Sequence, residues 1–321
     1  MALTGRLLVD NTDAYTTYGF VLKDYAPLLT MPTYKTVATN DWHEQDGLDA
    51  DLTNPVLGGR QFALKFGLSH PLTESEAQAM LYALTSQVYH SFEFPHIGKT
   101  FMLRLVSNGS FAQNVRFDTL SLTFAEDVVN IPAVTFPTAE SVPQQGYILD
   151  DADFALFGCQ VVKGTRDTFL KFAQPKEALK RSISIDNGIA YDIGDTIRLK
   201  PRDITINLHI RTASVADFWA QWYALWNAVL KIDTDTSIIT ERAVRTIEGD
   251  GMTFRAYYKQ NKVDRFLLID GGGVWCDFSI TFTVIAYSRG DEWYYLITED
   301  GFPLLFQDDD SDDPRHYMRI R

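Results

Sequence analysis

The chain has 321 residues, 45% hydrophobic and 22% charged, which is enough for two domains that each bury a core. Its net charge of −13 argues against binding of nucleic acid through phosphate contacts, which needs clustered Lys and Arg. No apolar run approaches the roughly 20 residues of a membrane span, and Met1-Ala2-Leu3-Thr4-Gly5-Arg6 lacks the regions of a signal peptide, so first folding in a cytoplasm is expected.

A short strand is expected at Leu7–Asp10 and a second at Gly19–Lys23. A long, turn-rich loop, Thr39–Gly59, follows and carries Trp42, Leu48, Leu52 and Val56 at intervals. In Phe62–Leu68 the apolar side chains fall on even positions, the period of a strand with one face in a core. Thr73-Glu74-Ser75-Glu76 fits a helix-capping box, and Ala77, Met80, Leu81, Leu84 and Val88 form the stripe of an amphipathic helix. Strands return at Phe101–Ser107 and Phe117–Ala125. Asp127 to Gln145 carries three prolines and little periodicity, and reads as a linker.

The same order then recurs. Strands are expected at Ile148–Asp151 and Cys159–Lys163. Next come the loop Ser182–Lys200, with Ile183, Ile185, Ile189, Tyr191, Ile193 and Ile197, and the alternating strand Ile204–Ile210. The helix opens at Ser214-Val215-Ala216-Asp217 and bears Phe218, Trp219, Trp222, Trp226, Val229 and Leu230. Thr253–Tyr258, Phe266–Ile269 and Cys276–Ile285 close it, the last two joined by a turn at Gly271-Gly272-Gly273. Cys159 and Cys276 are too few for a disulfide framework and are expected to be buried thiols. Beyond Ser288, Glu299-Asp300-Gly301 between Trp293–Ile297 and Pro303–Phe306 predicts a small hairpin, followed by a solvated, mobile acidic run, Asp308–Pro314.

Set at an offset of 141 (146 − 5), the halves keep step for about eighty residues. Lys35 meets Lys176, Gly47 meets Gly188, Asp51 meets Asp192 and Thr73 meets Ser214. Asp46-Gly47 falls on Asn187-Gly188, and both are turn dipeptides. The closing segments Ser121-Leu122-Thr123-Phe124 and Ser279-Ile280-Thr281-Phe282 match at 158, so the second copy gains 17 residues (158 − 141) after its helix, assigned to its strand-connecting loops. The fold class is therefore mainly β: two tandem β-sandwich or open-barrel domains, each with one amphipathic helix, plus a C-terminal β-hairpin extension. The divisions are a first domain, 1–127, a linker, 128–145, a second domain, 146–288, and the extension, 289–321.

Candidate chemistry is sparse. Asp10 and Asp13, Glu126 and Asp127, and Asp233 and Asp235 lie close in sequence, but a glycosidase needs carboxylates that face each other across a cleft. The paired Asp51 and Asp192 read as turn or loop contacts. His43, His70, His90, His96, His209 and His316 have no metal-site spacing, and the terminal acidic run lacks the ligand pattern of a calcium loop. The triple glycine lacks the Lys and the helix of a phosphate loop. No catalytic, cofactor or metal residue is expected. The Trp-rich helix reads first as core, then as a subunit interface, with sugar binding third. The loops are too apolar for plain disorder and read as arms that add strands to a neighbouring subunit. The candidate subunit-interface residues are Trp42, Leu48, Leu52, Val56, Ile189, Tyr191, Ile193 and Tyr223.

Leu8-Val9-Asp10, Tyr18-Gly19-Phe20-Val21-Leu22, the loop around Gln45-Asp46-Gly47, and Arg60 to Phe66 resemble the opening of tailed-phage distal tail proteins. Phe92-Glu93-Phe94-Pro95 and Phe117 to Phe124 sit where that family places an aromatic-rich strand pair, and Phe157-Gly158-Cys159, Asp186-Asn187-Gly188 and Arg202-Asp203-Ile204 repeat the pattern more loosely. The typical distal tail protein follows one such domain with an unrelated accessory domain, whereas this chain repeats the first; distal tail, duplicated tail-tube and hub components all remain open. The resemblance implies a non-enzymatic structural protein of a phage or prophage tail, made in the host bacterial cytoplasm and assembled into the virion. It implies a homo-oligomeric ring, a trimer or a hexamer, around a DNA channel, with tube, tape-measure or hub proteins as partners, no cofactor and no membrane. An acidic lumen would keep DNA from adhering. The rival readings are a tandem carbohydrate-binding β-sandwich, with Trp42 or Trp275 as the sugar platform, and a glycoside hydrolase.

Overall fold

Alternation and repetition in the sequence become two antiparallel, curled half-barrel sheets in the computed structural model. The structure describes residues 4–43, 45–53, 55–68, 74–107, 111–112, 119–134, 142–177, 180–181, 187, 190–191, 197–232 and 243–287. The first sheet uses β1 (Leu8–Val9), β2 (Thr12–Asp13), β3 (Phe20–Leu22), β6 (Arg60–Leu68), β7 (His90–Phe94), β8 (Lys99–Ser107), β9 (Phe111–Ala112) and β10 (Thr119–Glu126). The short pair β4 (Ala38–Asn40) and β5 (Asp49–Asp51) stands apart from it. The second sheet uses β11 (Ile148–Leu149), β12 (Ala152–Asp153), β13 (Cys159–Val161), β16 (Arg202–Thr212), β17 (Val244–Gly249), β18 (Met252–Leu268) and β19 (Val274–Tyr287), with β14 (Lys180–Arg181) and β15 (Ala190–Tyr191) apart. The strand orders are β2-β1-β7-β8-β10-β6-β3 and β12-β11-β17-β18-β19-β16-β13, the same path in both. Both sheets lie within one compact unit, Met1–Ala286.

Each central strand alternates as its sequence requires. Phe62, Leu64, Phe66 and Leu68 are buried, as are Ile204, Ile206, Leu208 and Ile210. Each such side chain contributes about 1.5–3 kcal/mol relative to exposure. Against these faces lie α2 (Glu74–Thr85), through Met80 and Leu84, and α4 (Val215–Leu230), through Phe218, Trp222 and Trp226. The Ser214 hydroxyl caps α4, accepting from the Asp217 N–H at 3.1 Å. Two helices escaped the sequence pattern because they are very short, α1 (Ala14–Tyr18) and α3 (Thr165–Leu170).

Several expectations change. Val88 lies past the end of α2 and is exposed, so it does not continue the stripe. Thr253–Tyr258 and Phe266–Leu268 are parts of one 17-residue strand, β18, which ends one residue before Ile269. Leu8 pairs with Glu93 and Ile148 with Glu248, so the opening strands match at 140, one less than the sequence offset. Those same pairs put β7 and β17 at 155 (248 − 93), so 14 of the 17 extra residues (155 − 141) fall between the helix start and the next strand rather than between strands. The predicted C-terminal hairpin and acidic run lie outside the described residues, as do the Thr73 cap, His70, His316, Phe117, Asp192, Asp233 and Asp235.

Cys159 and Cys276 flank Ile210 on adjacent strands, and both are buried. Burial pushes both thiols well up from their usual range. Neither should react with iodoacetamide in the native protein, and both should react in denaturant; mass spectrometry of the labelled chain checks this. Native labelling of either would contradict the fold at the centre of the second sheet.

Candidate functional site

The feature with the most specific geometry is the arm formed by the loop of the first copy, which docks on the second copy of the same chain. At its base, Lys176 donates to the Trp42 carbonyl at 2.7 Å and pairs with the Asp41 carboxylate; although a lysine, it is 9% exposed. At the tip, Asp46 Oδ1 accepts the Leu199 N–H at 2.6 Å, and the Gly47 N–H donates to the Leu199 carbonyl at 2.8 Å. The Leu48 N–H donates to the Ile285 carbonyl at 3.0 Å. Arg198 lies 3.8 Å from Asp46. The contact is thus backbone pairing at a strand-like segment, fixed in register by two carboxylates, Asp41 and Asp46, and one lysine, Lys176.

Gly47 is needed there twice over. Its φ of +78° is in the left-handed region, and a Cβ would stand 2.1 Å from the Ile285 carbonyl oxygen. Gly47→Ala should cost about 1–3 kcal/mol and release the arm. Hydrogen exchange checks it: the Leu48 and Leu199 amides should lose protection in the variant while those of β6 keep theirs.

A second contact comes from α4. Its arc is wide enough to face two ways. Phe218, Trp222 and Trp226 fill the core of the second copy, while Trp219 and Tyr223 face the first. Trp219 Nε1 donates to the Ile97 carbonyl at 2.6 Å, and Lys99 Nζ lies 4.6 Å and 4.5 Å from the Trp219 and Tyr223 rings. Burial draws the Lys99 ammonium down and pushes the Tyr223 hydroxyl up to about 12. Asn227 donates to the Pro132 carbonyl at 2.8 Å. Asn261 on β18 accepts the Met31 N–H at 2.8 Å and donates to the Leu29 carbonyl at 3.3 Å. A cavity of about 200 Å³ lies at this junction, with Arg60, Glu126 and Trp222 in its wall.

The structure distributes the predicted interface residues as follows. Trp42 is 50% exposed, with its indole N–H 3.4 Å from Asp49. Leu48 is half-buried at the arm tip, Leu52 is buried within the chain, and Val56 is 56% exposed. Tyr223 is half-buried between the copies. Tyr191 pairs with Lys180 in β14–β15; Ile189 and Ile193 lie outside the described residues. Lys176, Lys99, Asn261 and Leu199 were not singled out as interface residues. Lys176 alone had a signal, its pairing with Lys35.

The candidate carboxylates have structural partners instead. Asp10 takes the Ser91 N–H and His90, while Asp150 takes the Thr246 N–H and Arg245, the same place in the second copy. Asp13 and Asp153 each cap the turn that follows, accepting from Thr16 and Ala155. Glu126 pairs with Arg60, and Asp127 with Arg104 and Tyr89. Asp51 holds the Thr53 N–H at 3.1 Å, a turn contact. No group of three or more metal-binding side chains occurs among the described residues. Among those residues, no helix is long and apolar enough to cross a membrane. Trp275, partly buried, rests on His209 at 4.3 Å and donates to Asp277.

No known protein family matches the sequence, and no curated protein matches it. Among solved structures, the chain is similar to the Dit protein (gp 19.1) of phage SPP1, described as a paradigm of the hub adsorption apparatus in phages that infect Gram-positive bacteria. The identity is 10% and the TM-score 0.29, over 87% of this chain and 97% of that one. A likeness of that size does not establish a shared fold.

Proposed function

We propose that this chain is a structural protein of a phage or prophage tail, a ring-forming distal tail or baseplate component around the DNA channel. One observation carries the reading: two copies of one sheet topology are joined head to tail, the arm of the first seated on the second. A contact that uses different surfaces on its two sides is heterologous, and repeating it builds a closed ring or an open filament. The motif resemblance to distal tail proteins selects the ring and the phage setting. In this reading residues 1–127 and 146–288 are the two ring-building domains, so three chains supply six domains and six chains twelve. The net charge of −13 suits a lumen through which DNA slides without adhering. Tube, tape-measure or hub proteins would stack on either side.

Light scattering on the purified full chain tests this. At several milligrams per millilitre the mass should be three or six times the 36.4 kDa of one chain. A strict monomer across that range would count against the ring.

A further inference from the structure

We infer that the first copy carries an open docking surface, centred on Lys35, Leu57 and Asp127, and that its occupant is the Asn187-Gly188 turn of a second copy of this chain. The surface is the counterpart of the one already filled within the chain. In the second copy, Lys176 N–H donates to the Arg198 carbonyl and Lys200 N–H to the Gln174 carbonyl, so the N–H and C=O of Leu199 between them point outward. Asp46 and Gly47 take both. In the first copy, Lys35 N–H donates to the Val56 carbonyl and Gly58 N–H to the Thr33 carbonyl. Leu57 is therefore held in the same way, and its outward N–H and C=O have no partner among the described residues. Lys35, counterpart of the buried Lys176, is exposed. Glu126 pairs with Arg60 and Val284 with Arg202 at the ends of the equivalent ladders, which makes Asp127 the counterpart of Ile285. The Asp127 carbonyl is likewise unpartnered among the described residues, although its carboxylate is held by Arg104 and Tyr89.

The occupant follows from register. The residues matching Asp46, Gly47 and Leu48 are Asn187, Gly188 and Ile189, and Asn187 is exposed. An Asn offers the same Oδ1 acceptor as the Asp, and Gly leaves the same room beside a carbonyl. The match is not complete: Asp41 corresponds to Ser182, so Lys35 would meet a backbone carbonyl without the added carboxylate. Inside the chain the first copy's arm seats on the second, whereas Asn187 makes no bond to Leu57 or Asp127 among the described residues. The second arm is left to reach the first copy of the next chain, which gives every chain one internal and one external joint of the same kind. This deepens the ring reading and rests on it for closure, but the contact itself is tested separately.

Single-cysteine variants Asn187→Cys and Leu57→Cys, mixed and treated with a short bis-maleimide, should give a covalent dimer. Either variant alone should give none, since the native thiols are buried. The double variant should give a ladder of multimers. Lys35→Glu should raise the concentration for assembly about tenfold without changing the thermal midpoint of the chain. Assemblies that form normally yet give no 187–57 cross-link and ignore Lys35→Glu would overturn the docking surface and leave the ring reading standing. A chain that neither cross-links nor assembles at several milligrams per millilitre would overturn both.

Discussion

Trp222→Ala should lower the stability of the chain by about 3–5 kcal/mol, as large-to-small changes of a buried aromatic do. The side chain is 1% exposed. It stacks on Phe218 at 5.5 Å, meets Trp226 edge-on at 5.7 Å and meets Phe278 at 4.9 Å. Truncation therefore opens a cavity between α4 and the centre of the second sheet and removes three ring contacts, each worth roughly 0.5–1.5 kcal/mol beyond burial. The effect should spread, because the same helix holds the first copy through Trp219 and Tyr223. Urea denaturation followed by circular dichroism measures it, and a loss under about 1 kcal/mol would contradict the packing described.

Arg245→Ala should cost nearly as much for a different reason. This arginine is 2% exposed. It pairs with Asp150 and donates to the carbonyls of Val229, at 3.1 Å, and Ala228, in the last turn of α4. Helix ends leave their final carbonyls without intrahelical partners, so the guanidinium ties the end of α4 to the sheet. Removing it takes the donor from the buried Val229 carbonyl, while the Ala228 carbonyl keeps the Lys231 N–H at 3.4 Å. Asp150 is partly solvated, which softens the loss to about 2–4 kcal/mol. Arg245→Lys should recover less than half, because an ammonium cannot supply the planar fork. The same denaturation series reads both variants; full recovery by lysine would mean that charge alone matters.

The same residue explains what could not be read beforehand. In β17 the core-facing positions are Arg245 and Ile247, while Val244, Thr246 and Glu248 are half-exposed, so hydrophobicity gives the wrong face and the strand goes unseen. In β18 the polar run Lys259 to Arg265 hides a continuous strand, since Asn261 is buried by its bonds to Leu29 and Met31 rather than by apolar character. By contrast, Phe62–Leu68 and Ile204–Ile210 were legible because each obeys a two-residue burial period. The first loop was legible as an arm from its spaced apolar residues, but it seats on the second copy of its own chain and not on a neighbouring subunit; most of the second loop lies outside the described residues. Where the first one lands was not legible, because Asp46 meets Leu199 across 153 positions and the bonds are mostly backbone, which leaves no side-chain signature. Duplication was the most useful guide. Residues that recur in both copies, such as Asp13 with Asp153 and Arg60 with Arg202, serve the fold. Arg60 donates to the Leu28 and Thr30 carbonyls, and Arg202 to those of Thr168 and Phe169. A residue that recurs but changes burial, exposed Lys35 against buried Lys176, marks where the copies have different neighbours.

Electron microscopy of the assembled full chain tests the central claim most directly. The account predicts closed rings with a central channel, in which successive domains alternate first copy and second copy and every junction has the form of the Asp46–Leu199 contact. Two-fold dimers joined through identical faces, or single particles with no ring at high concentration, would contradict it.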